Sequence, residues 1–355
     1  APKFPTAQNL IFLLRYWRRT GSAETLSMVE KTLEAMRQKG LFDHLGFGFH
    51  RYSTDPSWSV PHYEKMLYDQ AMLAMAYTEA YQATGRQLFG ETARKTFTYV
   101  LRDLTSPEGG FYSAEDADSE GEEGKYYRWS LPELEDALGP ADADFARRIF
   151  NIGAGDIPTG LQLSALPGED KKVDNRVEEI RGVLLKARDG RLRPHRDEKI
   201  LTDWNGLMIA ALAKGARILG DDRYLGAARS AADFIMSKLS DGNGGLLHRY
   251  AGGQGGIGGF LDDYAFFVWG LIELYQADFE PRWLALAVEI NASQTELFWD
   301  NDKGGYFDSV DKKEPFLSHR KNPYDGAIPS GNSVALMNLV RLGRLTGDPS
   351  LEERS

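Results

Sequence analysis

Residues 207–219 read LMIAALAKGARIL and residues 223–239 read RYLGAARSAADFIMSKL, with Gly220 between them. The first run is apolar nearly all round, whereas the second carries its charges on one face. Helical periodicity therefore makes the first an inner, buried helix and the second an outer helix with one wet side. The device repeats outward in both directions. YAFFVWGLIELY (264–275) lies within a pair at about 261–278 and 281–299, whose second helix starts at Pro281, where proline is tolerated. SVALMNLVRL (333–342) belongs to a fifth pair that begins at about 331, breaks at Thr346-Gly347 and is cut off at Ser355. Toward the start, pairs at about 6–20 with 22–39 and 64–84 with 86–104 break at Thr20-Gly21 and Thr84-Gly85. Extended runs such as FYSAEDA, KYYRW and YFDSV are short and sit in connections.

Two echoes orient the repeat. Outer helices run into Gly-Gly and an apolar or aromatic residue: Gly109-Gly110-Phe111, Gly244-Gly245-Leu246, Gly304-Gly305-Tyr306, with Gly40-Leu41-Phe42 a degenerate copy. Inner helices open on a polar residue and then a small one: Gln70-Ala71, Asn205-Gly206, Tyr264-Ala265, Asn332-Ser333, with Asn9-Leu10 the exception. In an up-and-down array both features lie at one end, so the unusual residues collect on one face. The expectation is an all-α fold of at least nine helices in an inner and an outer ring. It is one domain over 1–355, with short hairpin-like loops on one face and an incomplete C-terminus. Residues 131–191 are expected to be a surface insertion, because LPELEDAL and VEEIRGVLLKA are too charged for inner helices; the alternative is that they supply a sixth pair.

Composition narrows the function. The 355 residues are 42% hydrophobic, enough for a large core. No apolar run spans a bilayer, and APKFPTAQNL has no signal-peptide pattern, so no membrane partner is expected. The first residue is not Met, which points to a processed chain or a fragment. The absence of cysteine excludes disulfides, thiol catalysis and thiolate metal sites on this chain, and suits a reducing, cytoplasmic location. A formal charge of −10 argues against nucleic acid; Arg15, Arg18 and Arg19, the nearest approach to a basic cluster, suit the solvated end of a helix.

The alternation resembles the six-hairpin (α/α)6 toroid of glycosidases and of the N-acylglucosamine 2-epimerase group. PKFP, DHLGFGFHRYS, VPHYEKMLYD, GGFYSAEDADSEGEEGKYYRW, DEKILTDWNGLMIAA, GFLDDYA, GGYFD and YDGAIPSGNS run in that order over nearly the whole chain. Together they resemble the thioredoxin-domain-containing family that includes bacterial YyaL and the mammalian spermatogenesis-associated homologue. The resemblance implies a thioredoxin-like domain before PKFP as a partner and a last hairpin after Ser355.

Candidate site residues come from the loop face. Residues 40–69 hold three of the six histidines, together with two prolines, Pro56 and Pro61, that bar a continuous helix. His62 and Glu64 sit at the expected entry to an inner helix, where a histidine can act as acid or base; the plainer reading is that both are caps. His50-Arg51-Tyr52 is echoed by His248-Arg249-Tyr250. His44, His50 and His62 lack the i, i+4 spacing of a helical metal site, so no metal and no cofactor is expected. Carboxylates crowd the same face at Glu115, Asp116, Asp118, Asp203, Asp262, Asp263 and Asp325, and about half of them suit helix caps. Glu120, Glu122 and Glu123 suit a solvated loop edge. Trp58, Phe49, Trp204 and Tyr264 offer flat faces for a sugar ring, and Asn205 and Asn332 open inner helices beside them. Ser330 lacks the strand context of a nucleophile elbow.

Three functions remain. A sugar epimerase or isomerase needs acid–base groups beside a carbonyl, for which His62 and His248 are the candidates and His319 a weak third. A glycosidase needs two carboxyls, Asp263 and Asp116, with Asp262 expected to cap and Asp263 to be the acid. A non-catalytic barrel would bind a sugar-like ligand or a protein and leave the chemistry to the thioredoxin-like domain.

Overall fold

The structure is a computed structural model that describes residues 2–152, 160–165, 171–310 and 320–354. The chain packs as two compact units: residues 1–102 with 114–197, and 103–113 with 198–355. The first holds helices α1 (Ala7–Thr20), α2 (Ala23–Gln38), α3 (Leu67–Thr84), α4 (Gln87–Tyr99), α5 (Leu131–Leu138), α6 (Pro140–Ile149) and α7 (Lys171–Arg188). The second holds α8 (Thr202–Leu219), α9 (Asp222–Lys238), α10 (Leu261–Asp278), α11 (Pro281–Phe298), α12 (Gly331–Thr346) and α13 (Pro349–Glu353). The nine helices read from periodicity are all present, and the turn glycines Gly21, Gly85, Gly220 and Gly347 end them in the left-handed conformation.

Burial follows the inner and outer assignment. Thirteen of the eighteen residues of α10 are buried, against six of eighteen in α11. Helices α8 and α10 approach so closely that a Cβ on Gly206 would stand 2.5 Å from the Phe266 backbone. That is why a small residue follows Asn205.

The two sequence echoes prove to be the two halves of one hydrogen-bonded clamp. Asn205 accepts from the Phe111 N–H (2.8 Å) and donates to the Phe111 carbonyl (3.0 Å). Asn332 does the same to Tyr306 (2.8 and 2.9 Å), and Gln70 to Phe49 (2.7 and 2.8 Å). The Tyr264 hydroxyl accepts from the Leu246 N–H (2.8 Å). Each clamped residue also bridges back across its loop, as Phe42 to Phe49, Thr105 to Phe111, Ser240 to Leu246 and Trp299 to Tyr306. Buried backbone groups need partners, and here the next inner helix supplies them. The Asn205–Phe111 clamp also ties residues 103–113 to the second unit.

The stretch 131–191 is more than a surface insertion. Leu134, Phe150, Leu163, Ile180 and Leu184 form one apolar cluster with Leu45 of the 40–69 loop. Arg188, 3% exposed, makes a bidentate ion pair with Asp43 (2.9 and 2.9 Å), and Lys65 binds the same carboxylate at 2.8 Å. Burial works to raise the Asp43 carboxyl, but Arg188 and Lys65 outweigh it and hold it well below the usual range.

Candidate active site

In the second unit the N-termini of α8, α10 and α12 meet around carboxylates. Asp263, fully buried, accepts from the Phe260 N–H (2.8 Å) and from the Asp203 N–H (3.0 Å). His248 Nδ1 lies 3.0 Å from both Asp263 oxygens. An acceptor that already serves two backbone donors fixes the imidazole proton on Nδ1. Nε2 has no hydrogen-bond partner among the described residues, and the His248 side chain is 24% exposed. The Gly331 N–H bonds Asp262, so α12 contributes its own N-terminus.

These groups, with Phe260, Asp308 and Asn322, line a cavity of about 240 Å³. Burial and the Asp263 charge push Asp203 well above the usual carboxyl range. Burial, then Asp263 and Asp308, push Asp262 to about 6. Helix N-termini favour carboxylates, but desolvation and like charge win here. For His248, burial opposes the charged ring, yet the hydrogen bond and charge of Asp263 outweigh it and its pKa is raised. Asp203, His248 and Asp263 each offer a ligand atom, all within 4.8 Å of one another. With Nδ1 and both Asp263 oxygens bonded as described, the arrangement is that of an oriented histidine.

Several expected roles change. Asp263, expected to be the acid, accepts the N–H of Phe260 just before α10 and orients His248; Asp262, expected to cap, faces the cavity with a raised pKa, as Asp203 does. Asn205, Asn332 and Tyr264 spend their polar groups on the clamps. Asp325 is exposed and accepts the Ser330 N–H (2.8 Å). Trp204 is part-exposed, and its N–H caps onto Asp203 (2.7 Å). Asp308 and Asn322 escaped the sequence reading. A signal existed for Asp308: it stands two residues after clamped Tyr306, as His248 stands two after Leu246. His319 lies outside the described residues.

In the first unit Arg51, His62 and Glu64 come together. Arg51 binds Glu64 (2.9 Å) and the Tyr68 hydroxyl (3.1 Å). His62 Nδ1 contacts Glu123 (2.7 Å), its Nε2 lies 3.6 Å from Glu64, and Tyr52 stacks on the ring. Glu123 is on the solvated loop edge, as expected, and is also the partner of His62. Helix α3 begins only at Leu67, so His62 stands in a short strand pair and gains no helix dipole. Asp69, missed by the sequence reading, is buried with one unpartnered oxygen, and burial pushes it well above the usual range. The remaining candidates lie elsewhere. His50 is 2% exposed, bonds the Tyr63 carbonyl (3.0 Å) and is lowered by burial, then by Lys65, to about 3. Trp58 is buried under the Lys3 ammonium, and Phe49 is buried against Tyr77. Asp116 and Asp118 are exposed, and Asp116 bonds its own loop at Ala117 (2.7 Å).

By fold the protein is an α/α toroid. It aligns with a D-mannose isomerase at a TM-score of 0.61 over 99% of this chain and 74% of that one, at 12% identity. A GH76 α-mannanase of Bacteroides thetaiotaomicron gives 0.61 over 98% and 71%, also at 12% identity. An inactive variant of an α-1,6-mannanase of Salegentibacter, with two adjacent aspartates replaced by asparagine, in complex with α-1,6-mannotriose, gives 0.56 over 97% and 76%, at 14% identity. At these identities the likeness is one of fold. In sequence the chain is 40% identical over 98% of its length to human spermatogenesis-associated protein 20, and 32% identical over 96% to an uncharacterized protein of Caenorhabditis elegans. It belongs to the family of spermatogenesis-associated protein 20 and spans about half the length of these curated relatives. No family model matches it. Among the described residues no helix is long and apolar enough to cross a membrane.

Proposed function

We propose that this chain is a carbohydrate-active barrel that moves a proton beside the carbonyl of an opened sugar. The observation that carries this reading is His248: an imidazole oriented by Asp263, with a free Nε2, in one cavity with two carboxyls of raised pKa. Nε2 takes the carbon-bound proton next to the carbonyl. Above the raised pKa of the ring the Nε2 lone pair is available, and Asp203, pushed well above the usual carboxyl range, donates to the carbonyl oxygen, which leaves an enediol in place of an exposed anion. Return of both protons, to the neighbouring carbon and from the neighbouring hydroxyl, completes an isomerisation; return to the opposite face of the same carbon would be an epimerisation.

Glycoside hydrolysis is the second reading. Raised carboxyls are what a glycosidase acid requires, and adjacent aspartates are what the inactive Salegentibacter mannanase variant has lost. Against it, Asp263 is held by two backbone donors and a histidine, a poor state for a nucleophile. The test is incubation with D-mannose in deuterated water and, separately, with α-1,6-mannotriose. Solvent deuterium at the carbon beside the carbonyl, lost in His248→Gln, supports the first reading; new reducing ends from the trisaccharide without exchange overturn it. A thioredoxin-like domain in longer relatives and a cytoplasmic location complete the proposal.

A further inference from the structure

The first unit contains a second cavity, of about 410 Å³, within the size range of small-molecule sites. Arg37 of α2 lines it, together with Lys95 of α4 and with Glu178 and Arg181 of α7. Two of these cations are ion-paired, both to one carboxylate: Lys95 binds Glu178 at 2.9 Å and Arg181 binds it at 2.6 Å. Arg37 is not. It is 4% exposed, and among the described residues it has no carboxylate within ion-pair distance and its Nε has no hydrogen-bond partner.

The contacts Arg37 does make leave its charge in place. Nη1 lies 3.0 Å from His44 Nδ1, and the guanidinium sits 4.4 Å over the Phe42 ring. His44 Nε2 faces the Lys39 carbonyl at 3.1 Å, so its proton is there and Nδ1 is the acceptor. Burial, then the charge of Arg37, keep that imidazole well below its ordinary pKa and hence neutral. Burial lowers Arg37 itself only to about 10, so it stays cationic at neutral pH. A buried charge without a paired carboxylate is costly and calls for an explanation.

We infer that this cavity binds a small monocarboxylate with an apolar body, its carboxylate on Arg37 and its body against Leu88, Ile149, Phe150, Leu163 and Val177. The charge balance selects this class. The wall carries three cations, Arg37, Lys95 and Arg181, and three carboxylates, Glu91, Asp174 and Glu178. A dianion such as phosphate adds two charges to a wall whose carboxylates already match its cations, whereas a monocarboxylate adds one, opposite the cation that lacks an ion pair. Nε is sealed from the cavity and Nη1 is on His44, which leaves Nη2 for the carboxylate. The site is made from α2, α4, α6 and α7 and shares no residue with the His248 cluster, so the two proposals stand or fall separately.

The experiment is calorimetric titration of the 355-residue chain with octanoate, 1-octanol and inorganic phosphate, repeated on Arg37→Met and on Val177→Trp. Octanoate is expected to bind at least about tenfold more tightly than octanol, a difference of about 1.4 kcal/mol, and phosphate not to bind. Arg37→Met should reduce octanoate to the octanol level. Val177→Trp, which fills the cavity from α7 and leaves Arg37 untouched, should abolish both, with circular dichroism reporting that the chain is folded. Equal affinity for octanoate and octanol, no octanoate binding, phosphate binding that competes with octanoate, or undiminished octanoate binding in folded Val177→Trp would each overturn the inference. Should Arg37→Met fail to fold, the ligand comparison and the tryptophan variant still decide it.

Discussion

The same three residues, His-Arg-Tyr, occur at 50–52 in the first unit and at 248–250 in the second, and the histidines have opposite fates. His50 lies against the Tyr63 and Tyr127 rings, 2% exposed, with its pKa lowered to about 3. His248 lies on Asp263, is part-exposed, and has its pKa raised. The clamps explain the difference. Phe49 is the clamped residue in the first unit and Leu246 in the second, so His50 is one residue past its clamp and His248 two. Alternate residues of an extended segment face opposite sides, so a slip of one residue exchanges wall and cavity. The triplets match in sequence and are out of register in structure.

The largest expected contrast is catalytic. His248→Gln should lower deuterium exchange into the sugar by about 10²–10⁴-fold, the usual worth of a positioned base, while His50→Gln should leave exchange within a few-fold and show its cost in thermal unfolding. If His50→Gln proves the more damaging to exchange on a folded chain, the register argument fails.

Next comes Arg188→Met, which should cost about 3–5 kcal/mol in urea unfolding by leaving Asp43 with one cation in a buried site. A loss near zero would make 131–191 the surface insertion that its charge pattern predicts. Asn205→Ala should cost about 2–3 kcal/mol, because two buried backbone groups of Phe111 lose their partner. Should it prove neutral, the clamp is decoration and cannot set the register.

The last contrast is a pair of pH slopes of opposite sign. His50 titrates at about 3 in the folded chain and near 6.5 unfolded, so the unfolded state binds more protons between those values and stability falls as pH drops through that window. Asp262 behaves in reverse: its folded pKa of about 6 lies above the ordinary carboxyl value, the folded state binds more protons, and stability falls as pH rises from about 4 to about 6. Melting curves of His50→Gln and Asp262→Asn across pH 3–7 should each lose one of these slopes. Retention of both slopes in both variants would assign them to other groups.

The repeat was legible in the sequence because inner helices such as 264–275 are apolar all round and outer ones are not, a contrast that burial imposes on composition residue by residue. Both echoes were legible too, since a clamp demands a polar side chain at one place and a glycine turn at another. Their pairing was not, because Asn205 and Phe111 are 94 positions apart and nothing local marks them as partners. For the same reason Asn205, Asn332 and Tyr264 looked like ligand contacts.

Sequence alone determined the helices, their inner or outer character, the family, and the residue types available for chemistry, since each follows from periodicity or from local motifs. Tertiary structure alone decided which histidine rests on a carboxylate and which is buried among rings, which of Asp262 and Asp263 accepts the N–H before α10, and that Arg188 is buried against Asp43. Those outcomes turn on strand register and on which charges are buried together. Register and burial are set by contacts between segments far apart in the chain.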